Sequence, residues 1–312
     1  MWLWRWRLAL PPVCVGRRVR AFCLWFVVCG FSVGGVVRRR RRVFGVVNIM
    51  TLTQKFYFKL INALLDAAAA NACNRRKILD CVTEQKLGCA SAYNSGIEIC
   101  IRDALTLMTS NASMNGEALG LSASAAAATW FVGATGDAKA LERASPTWGT
   151  VLGIAKRNNI VMGAVDYPML AERLVAVDGM TYYRGCDAKF KRLPLQSQCA
   201  KPLAQCVVAT SCADAMTVIE RAKLAKLTRV VRHVAHCSDC YVYTLLAKGY
   251  IDAVLKCRFR PYDFLGLVPV LKGTGCCVCN WQGSEVCYAD GILVSRNANI
   301  QTNLLELIND IN

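Results

Sequence analysis

The charged residues divide the chain sharply at Met50. Residues 1–49 contain ten Arg and no Lys, Asp or Glu, whereas residues 50–312 contain 28 basic and 21 acidic residues. The formal net charge of +17 therefore falls to +7 once the first segment is set aside. A charge of +17 favours nucleic acid or an anionic membrane as a partner, but +7 suits a small phosphorylated substrate equally well. The sequence has no nucleic-acid-binding motif, so we expect no such partner.

The first 49 residues have two alternative interpretations. An uncharged run of 17 residues, Ala21–Val37, precedes five consecutive Arg, which is the pattern of a marginal membrane span or signal anchor. The run is short and holds three Gly, which argues against a span. The alternative is that translation starts at Met50, immediately before the first helical pattern. We favour that start, which implies a cytoplasmic protein without membrane contact; otherwise residues 1–49 are a basic, apolar extension.

Eighteen Cys is a high number for this length, and fifteen of them follow Met50. Their spacing is not that of a small secreted domain, so we predict reduced, buried thiols in a cytosolic protein. One alternative is a zinc site. Cys237 and Cys240 form a CxxC pair beside two His, and a second group lies near Cys276. The pairs lack a zinc-knuckle arrangement, and buried thiols remain the favoured interpretation.

The apolar patterns predict two halves of different character. A helix capped by Thr53 presents an apolar stripe, Phe56, Leu60, Ile61, Leu64 and Leu65. A second helix, over 97–108, is followed by antiparallel strands at 130–132, 150–155, 160–165 and 173–177. After residue 196, strands at 206–209, 229–234, 253–257, 276–280 and 291–294 alternate with helices at 213–227, 241–249, 262–272 and 302–311. We therefore predict an α+β subdomain at 50–195 and an α/β subdomain at 196–312.

Three segments carry a resemblance to a known family. They are Ser145–Thr150 with Gly163–Arg173, Ser238–Gly249 with Ile251–Leu255, and Arg260–Val270 with Gly273–Gly275 and Asn280–Gly283. Together they resemble the inositol-monophosphatase-like phosphatases, most closely the histidinol-phosphate phosphatase branch. The resemblance implies a layered αβαβα sandwich with a cleft between its halves. It also implies two or three Mg²⁺ ions held by carboxylates, a small phosphorylated substrate, and a phosphoric monoester hydrolase; a homodimer is left open.

The resemblance assigns site residues one by one. Glu117, in Gly116-Glu117-Ala118, matches a metal-binding Glu that is also catalytic, and Asp263 matches a later metal-binding Asp. Other positions depart from the family pattern. Gly133 and Gly136 stand where metal-binding Asp residues are expected, Ala138 where a water-activating Thr is expected, and Asn94 where its Asp partner is expected. Asp137 lies one residue beyond a lost position, and we predict that it serves as a replacement metal ligand and catalytic residue.

Three further residues are candidates for substrate binding. Asp239 precedes a predicted helix, so it either caps that helix or contacts the polar end of the substrate. Arg173 and Lys256 are basic groups near the inferred cleft that would contact phosphate, with a plain surface role as the alternative. Asp263 could itself simply cap a helix, since Pro261 is well placed at a helix start.

The sequence therefore supports two main hypotheses. The first is a magnesium-dependent phosphomonoesterase, with histidinol phosphate as the substrate in histidine biosynthesis or, alternatively, with inositol monophosphatase activity. The second is a catalytically impaired or inactive relative that retains the fold. The second hypothesis is motivated by the lost ligands, since two carboxylates do not easily hold two Mg²⁺ ions close together.

Overall fold

The structure is a computed structural model that describes residues 52–72, 89–109, 113–122, 128–135, 140, 145–156, 159–210, 216–237, 239–286 and 291–310. The N-terminal segment 1–49 lies outside these residues, as do Gly136, Asp137 and Ala138. Within the described ranges, no helix combines the length and apolar character that a membrane crossing requires.

Two long helices, α1 (Leu52–Ala72) and α2 (Cys89–Met108), cover one face of the first sheet. Four residues of the predicted stripe on α1 are buried, Leu60, Ile61, Leu64 and Leu65, whereas Phe56 is exposed. Ile97 and Ile101 of α2 enter the same core. The helical periodicity was therefore predictable, and only its first residue falls outside the buried stripe.

The first sheet has eight strands in the order β2-β1-β3-β4-β5-β6-β7-β8. Strands β1 and β3 pair in parallel, and the other neighbours are antiparallel. The strands are β1 (Ser113–Gly116), β2 (Gly120–Ser122), β3 (Ala128–Gly133), β4 (Thr150–Lys156), β5 (Asn159–Tyr167), β6 (Glu172–Val177), β7 (Met180–Arg184) and β8 (Phe190–Arg192).

Both faces of this sheet are buried. On β6, Val175 and Val177 face the core under α1 and α2, whereas Leu174 and Ala176 face a second core on the other side. Successive side chains of a strand point to opposite faces, so this alternation requires a covering layer on each side. The layer that covers the other face of this sheet consists of three short helices: α4 (Tyr241–Ala247), α5 (Pro261–Phe264) and α6 (Leu267–Lys272).

The second sheet has five strands in the order β10-β9-β11-β13-β12, of which β10, β9 and β11 run in parallel. The strands are β9 (Val207–Thr210), β10 (His233–His236), β11 (Ala253–Lys256), β12 (Cys277–Asn280) and β13 (Ile292–Ser295). One face packs on the central helices; the other is covered by α3 (Val218–Val230) and α7 (Ala298–Asn309).

The layers therefore follow the order helix, sheet, helix, sheet, helix, which confirms the predicted αβαβα fold. The predicted subdomain boundary at residues 195–196 falls in the connection between β8 and β9. One predicted strand, at 229–234, was misplaced: α3 continues to Val230, and β10 starts only at His233. Leu224, Leu227 and Val231 are buried at helical spacing, which overrides the β-branched character of the segment.

Candidate active site

The first wall of the cleft is formed by the end of β1 and by the short helix α5, which lies directly against the first sheet. Glycines make this close approach possible. A Cβ on Gly153 of β4 would lie 2.9 Å from the Cα of Gly266, and a Cβ on Gly163 of β5 would overlap the Gly266 carbonyl oxygen. The backbone around Gly266 thus packs where side chains would otherwise stand. This packing brings Tyr262 and Asp263 next to the ends of the central strands.

Gly133, at the end of β3, faces the same segment. A Cβ placed on Gly133 would lie 2.6 Å from the Tyr262 carbonyl oxygen, closer than the two atoms can approach. The family's metal-binding Asp therefore has no room at this position with the observed backbone. The replacement by Gly is matched to the local packing rather than being an isolated change.

Glu117 follows β1 and contacts two donors. Its Oε1 accepts a hydrogen bond from Nη1 of Arg260 at 2.6 Å, and its Oε2 accepts one from Nδ2 of Asn94 at 3.2 Å. Asn94 is buried, and its own Oδ1 has no hydrogen-bond partner among the residues that the structure describes. Both oxygens of the predicted metal ligand are therefore engaged by groups of the chain itself.

Arg260 also donates to the Tyr262 hydroxyl, 3.1 Å away. This hydrogen bond is the main reason that the pKa of Arg260 is raised, and the nearby charges of Glu117 and Asp263 add to the effect. Burial raises the pKa of Tyr262, although the Arg260 guanidinium opposes that shift. One guanidinium thus lies beside both surviving carboxylates of the predicted metal site.

The opposite wall lies at the carboxyl ends of the parallel strands of the second sheet. Lys256 is the last residue of β11, and Asp239 follows β10. Ligands of open α/β sheets bind outside these strand ends. Asp239 Oδ2 accepts from the Thr147 hydroxyl at 2.8 Å, and its Oδ1 accepts from the Tyr241 backbone N–H at 3.1 Å.

The buried thiol of Cys240 reports on the charges of this wall. Burial raises its pKa to about 12, and Asp239 and Asp263 add to the rise while Lys256 opposes it. The charges of Asp239, Asp263 and Lys256 therefore all act on this one buried group. The sequence analysis named each of these residues as a candidate, and their roles stay predictions.

Comparison with known protein families identifies the family to which this sequence is similar. The model of the inositol monophosphatase family matches residues 137–312, more than half of the chain. This chain belongs to the inositol monophosphatase family. The bifunctional phosphatase IMPL2, chloroplastic, of Arabidopsis thaliana is 29% identical over 157 residues, 50% of this chain and 43% of that protein. A histidinol-phosphatase of Chlorobaculum parvum is 22% identical over 180 residues, 57% of this chain and 67% of that protein.

Solved structures of the inositol monophosphatase family share the fold. An inositol monophosphatase from Zymomonas mobilis superposes with a TM-score of 0.73 at 21% identity, over 83% of this chain and 100% of that one. Mycobacterium tuberculosis SuhB gives a TM-score of 0.66 at 16% identity, over 82% and 97%. The sequence match to IMPL2 spans less than half of that protein's length.

The family is metal-dependent, and the described residues can be compared with the ligands that bound cations require. A pair of cations does not fit, because Gly133 offers no ligand and the Tyr262 carbonyl closes its position. In the ranges that the structure covers, no three His, Cys, Asp or Glu side chains form a metal-binding group. Glu117 and Asp263 are the two carboxylates that would hold a single hard cation, and the Arg260 guanidinium that bonds to Glu117 supplies a positive charge beside it. Mg²⁺ is often held by one or two carboxylates with water completing its shell.

The prediction that Arg173 contacts phosphate is not supported by its position. Its side chain is 1% exposed, and its Nε donates to Asp166 at 2.6 Å. Its Nη1 lies 2.9 Å from Asp66 and 3.0 Å from Asn62 Oδ1, both on α1. Arg173 therefore fastens α1 to the first sheet. Asp166, its partner in this ion pair, lies in β5 and is buried.

The zinc alternative also finds no support among the residues described. The pKa of Cys276 is raised to about 11 by burial, and burial likewise raises the pKa of Cys237, Cys277 and Cys279. A zinc ligand must be a thiolate, which a raised pKa disfavours. The sequence analysis missed Arg260, which lies within the quoted C-terminal motif. Nothing local indicates that it contacts Glu117, 143 positions away.

Proposed function

We propose that this chain is a hydrolase of a small phosphate monoester, with histidinol phosphate of histidine biosynthesis as its substrate. The observation that carries the proposal is the placement of Asp239 and Lys256 at or beyond the carboxyl ends of the parallel strands β10 and β11, with Asp263 in α5; the charges of all three act on the buried Cys240 thiol. These three side chains offer an acid for a cationic substrate group, a base for a phosphate and a carboxylate for a hard cation. Family membership and the phosphatase names of two relatives support the same reaction class.

Asp239 and Lys256 would orient the two ends of the substrate. Each Asp239 oxygen already accepts one hydrogen bond, but a carboxylate has about four acceptor sites, so an ammonium group can still bind. Histidinol phosphate carries such an ammonium group, whereas inositol monophosphate carries hydroxyls only. Lys256, a compact point charge, is suited to a phosphate oxygen.

Glu117 and Asp263 would hold one Mg²⁺ ion, whose positive charge offsets that of the phosphate oxygens when it is bound. The side chain of Arg260 is 62% exposed, so its ion pair with Glu117 is open to solvent and weak. Arg260 can therefore leave Glu117 without disturbing the core. We further propose that Asp137 adds a ligand. We also propose that the reaction takes place in the cytoplasm, since the ten cysteines in the part of the chain that the structure describes are free thiols.

A relative that keeps the fold without turnover is the second candidate. The Arg260–Glu117 ion pair and the closed position at Gly133 favour it, because both remove ligands that a cation pair would need. The two candidates differ in one measurable property, which is the release of inorganic phosphate.

The deciding experiment follows phosphate release from histidinol phosphate and from inositol monophosphate, with Mg²⁺ and with a chelator, using the full chain. We expect release that requires Mg²⁺ and is faster with histidinol phosphate. Faster release from inositol monophosphate would reject the proposed substrate. No release above the chelator control from either ester would reject hydrolysis and leave the second candidate.

A further inference from the structure

Glu98 is a fully buried carboxylate for which the proposed reaction has no use. It lies on α2 with none of its side chain exposed. Its Oε2 accepts a hydrogen bond from the Ala118 backbone N–H at 2.7 Å, and its Oε1 accepts one from the Leu119 N–H at 3.2 Å. Both amides belong to the turn between β1 and β2 that begins with Glu117. A buried carboxylate is costly unless it is paired, and this one is paired with the backbone amides of that turn.

Arg102, one helical turn further along α2, completes the arrangement. Its Nε and Nη2 donate to Glu98 Oε1 at 3.1 and 2.8 Å. Its Nη2 also donates to the Gly120 carbonyl at 2.6 Å, and its Nη1 to the Ser122 hydroxyl at 2.9 Å. The two side chains thus bind the turn from both ends. Charged hydrogen bonds of this kind are about twice as strong as neutral ones.

Gly116 makes room for this contact. A Cβ on Gly116 would overlap the Glu98 carboxylate, so any larger residue would push that group away from the turn. Gly116 directly precedes Glu117, where the turn begins. Within that turn the amides of residues 118 and 119 have no regular backbone pairing. The position of Glu117 in the cleft therefore depends on a side chain from a different element.

We propose that Glu98 is a positioning residue, whose buried carboxylate fixes the turn that presents Glu117 to the cleft. Its effect on catalysis rests on the proposed function, but its effect on the turn does not. In Glu98→Gln an NH₂ group replaces one of the two carboxylate oxygens, and this group cannot accept a hydrogen bond. At least one of the four hydrogen bonds that the Glu98 carboxylate accepts must therefore be lost. Gly116→Ala reaches the same result from the opposite side, because it displaces the carboxylate without changing it.

The test compares Glu98→Gln and Gly116→Ala with Asp103→Asn, which removes an exposed carboxylate from the same helix. Amide hydrogen exchange at Ala118 and Leu119 is the first readout, and we expect both variants to raise it about tenfold or more. The second readout is the split between kcat and KM for phosphate release. We expect kcat to fall while KM changes little, because Asp239 and Lys256 are untouched.

Each outcome decides a separate point. Exchange at 118 and 119 that matches the Asp103→Asn control would overturn the proposal. Faster exchange with unchanged kcat in an active protein would overturn the positioning role. If the unmodified chain releases no phosphate, the proposed function fails, and the exchange rates alone decide whether Glu98 holds the turn.

Discussion

One part of the candidate site carries Asp239, Lys256 and Asp263, whose charges act on one buried thiol, whereas the part at the ends of β1 and β3 carries Glu117, which is bonded to Arg260 and Asn94. The family match covers residues 137–312, which include the three residues of the former part but neither Glu117 nor Gly133. The fold likeness reaches further and covers 83% of the chain. The two parts of the site therefore share a scaffold but differ in how many of the expected residues they keep.

The difference shows that packing and ligand positions are constrained separately. Core residues such as Trp130 and Val132 of β3 are buried, and replacing them would cost several kcal/mol. The ligand positions at the strand end contribute no such packing. At Gly133 the neighbouring backbone has even closed over the position. A chain can thus keep the layers intact while it loses ligand positions that its family uses to bind cations.

The largest expected effect comes from removing Asp263, a carboxylate within the part of the chain that the family model matches. Asp263→Asn should lower kcat/KM for phosphate release by about a hundredfold or more, since it removes a cation ligand. Glu117→Gln should cost only about tenfold, because Arg260 already neutralises that carboxylate. Steady-state kinetics check both, with exposed Asp310→Asn as the control. Equal losses of kcat/KM in Asp263→Asn and Glu117→Gln would contradict the expected difference between the two parts of the site.

The closed position at Gly133 gives the next prediction. Gly133→Ala should lower the free energy of unfolding by about 2 kcal/mol, because the new Cβ overlaps the Tyr262 carbonyl. Gly96→Ala on α2 is the matched control, since a Cβ there meets nothing within 4 Å. It should be neutral or stabilise by up to about 1 kcal/mol. Urea denaturation measures both, and a Gly133→Ala variant as stable as the control would show that the position is open.

Competition between Arg260 and a cation for Glu117 is expected to have a moderate effect on the affinity for that cation. Arg260→Gln should raise the affinity of the chain for Mn²⁺ about tenfold, because a neutral side chain no longer competes for Glu117. Arg258→Gln removes an exposed Arg two residues away and should leave the affinity unchanged. Isothermal titration of the folded variants provides the measurement. Equal affinities in the two variants would mean that Arg260 does not stand in for a cation.

The smallest effect concerns substrate choice. Asp239→Asn should lower the preference for histidinol phosphate over inositol monophosphate about fivefold, since an exposed charge contact is worth about 1 kcal/mol. The ratio of the two kcat/KM values measures it. A fall in both values by the same factor would assign Asp239 to holding Thr147 and Tyr241 rather than to the substrate.

Much of the fold was predictable because local patterns determine it. The strands over Thr150–Lys156, Asn159–Tyr167 and Glu172–Val177 were predicted to within two residues, since their apolar runs are bounded by turns. The misplaced strand at 229–234 arose because Val is favourable in strands, while burial at helical spacing decided otherwise. Helix periodicity and strand runs were therefore sufficient for the layers.

The site was predictable only in part, because its contacts are not local. Glu117, Asp239, Lys256 and Asp263 were named from motifs. The ion pair of Glu117 with Arg260 joins residues 143 positions apart, and the buried pairing of Arg173 joins it to Asn62, 111 positions away. A motif gives the residue type at a position but not its partner. The chemistry at Asp137 stays a prediction, since that residue lies outside the described ranges.

The most direct test of a single-cation phosphatase is the dependence of phosphate release on Mg²⁺ concentration, with histidinol phosphate held at saturation. A site formed by Glu117 and Asp263 predicts a hyperbolic, first-order dependence that disappears in Asp263→Asn. A second-order rise with Mg²⁺, or release that is identical in Asp263→Asn, would contradict the account.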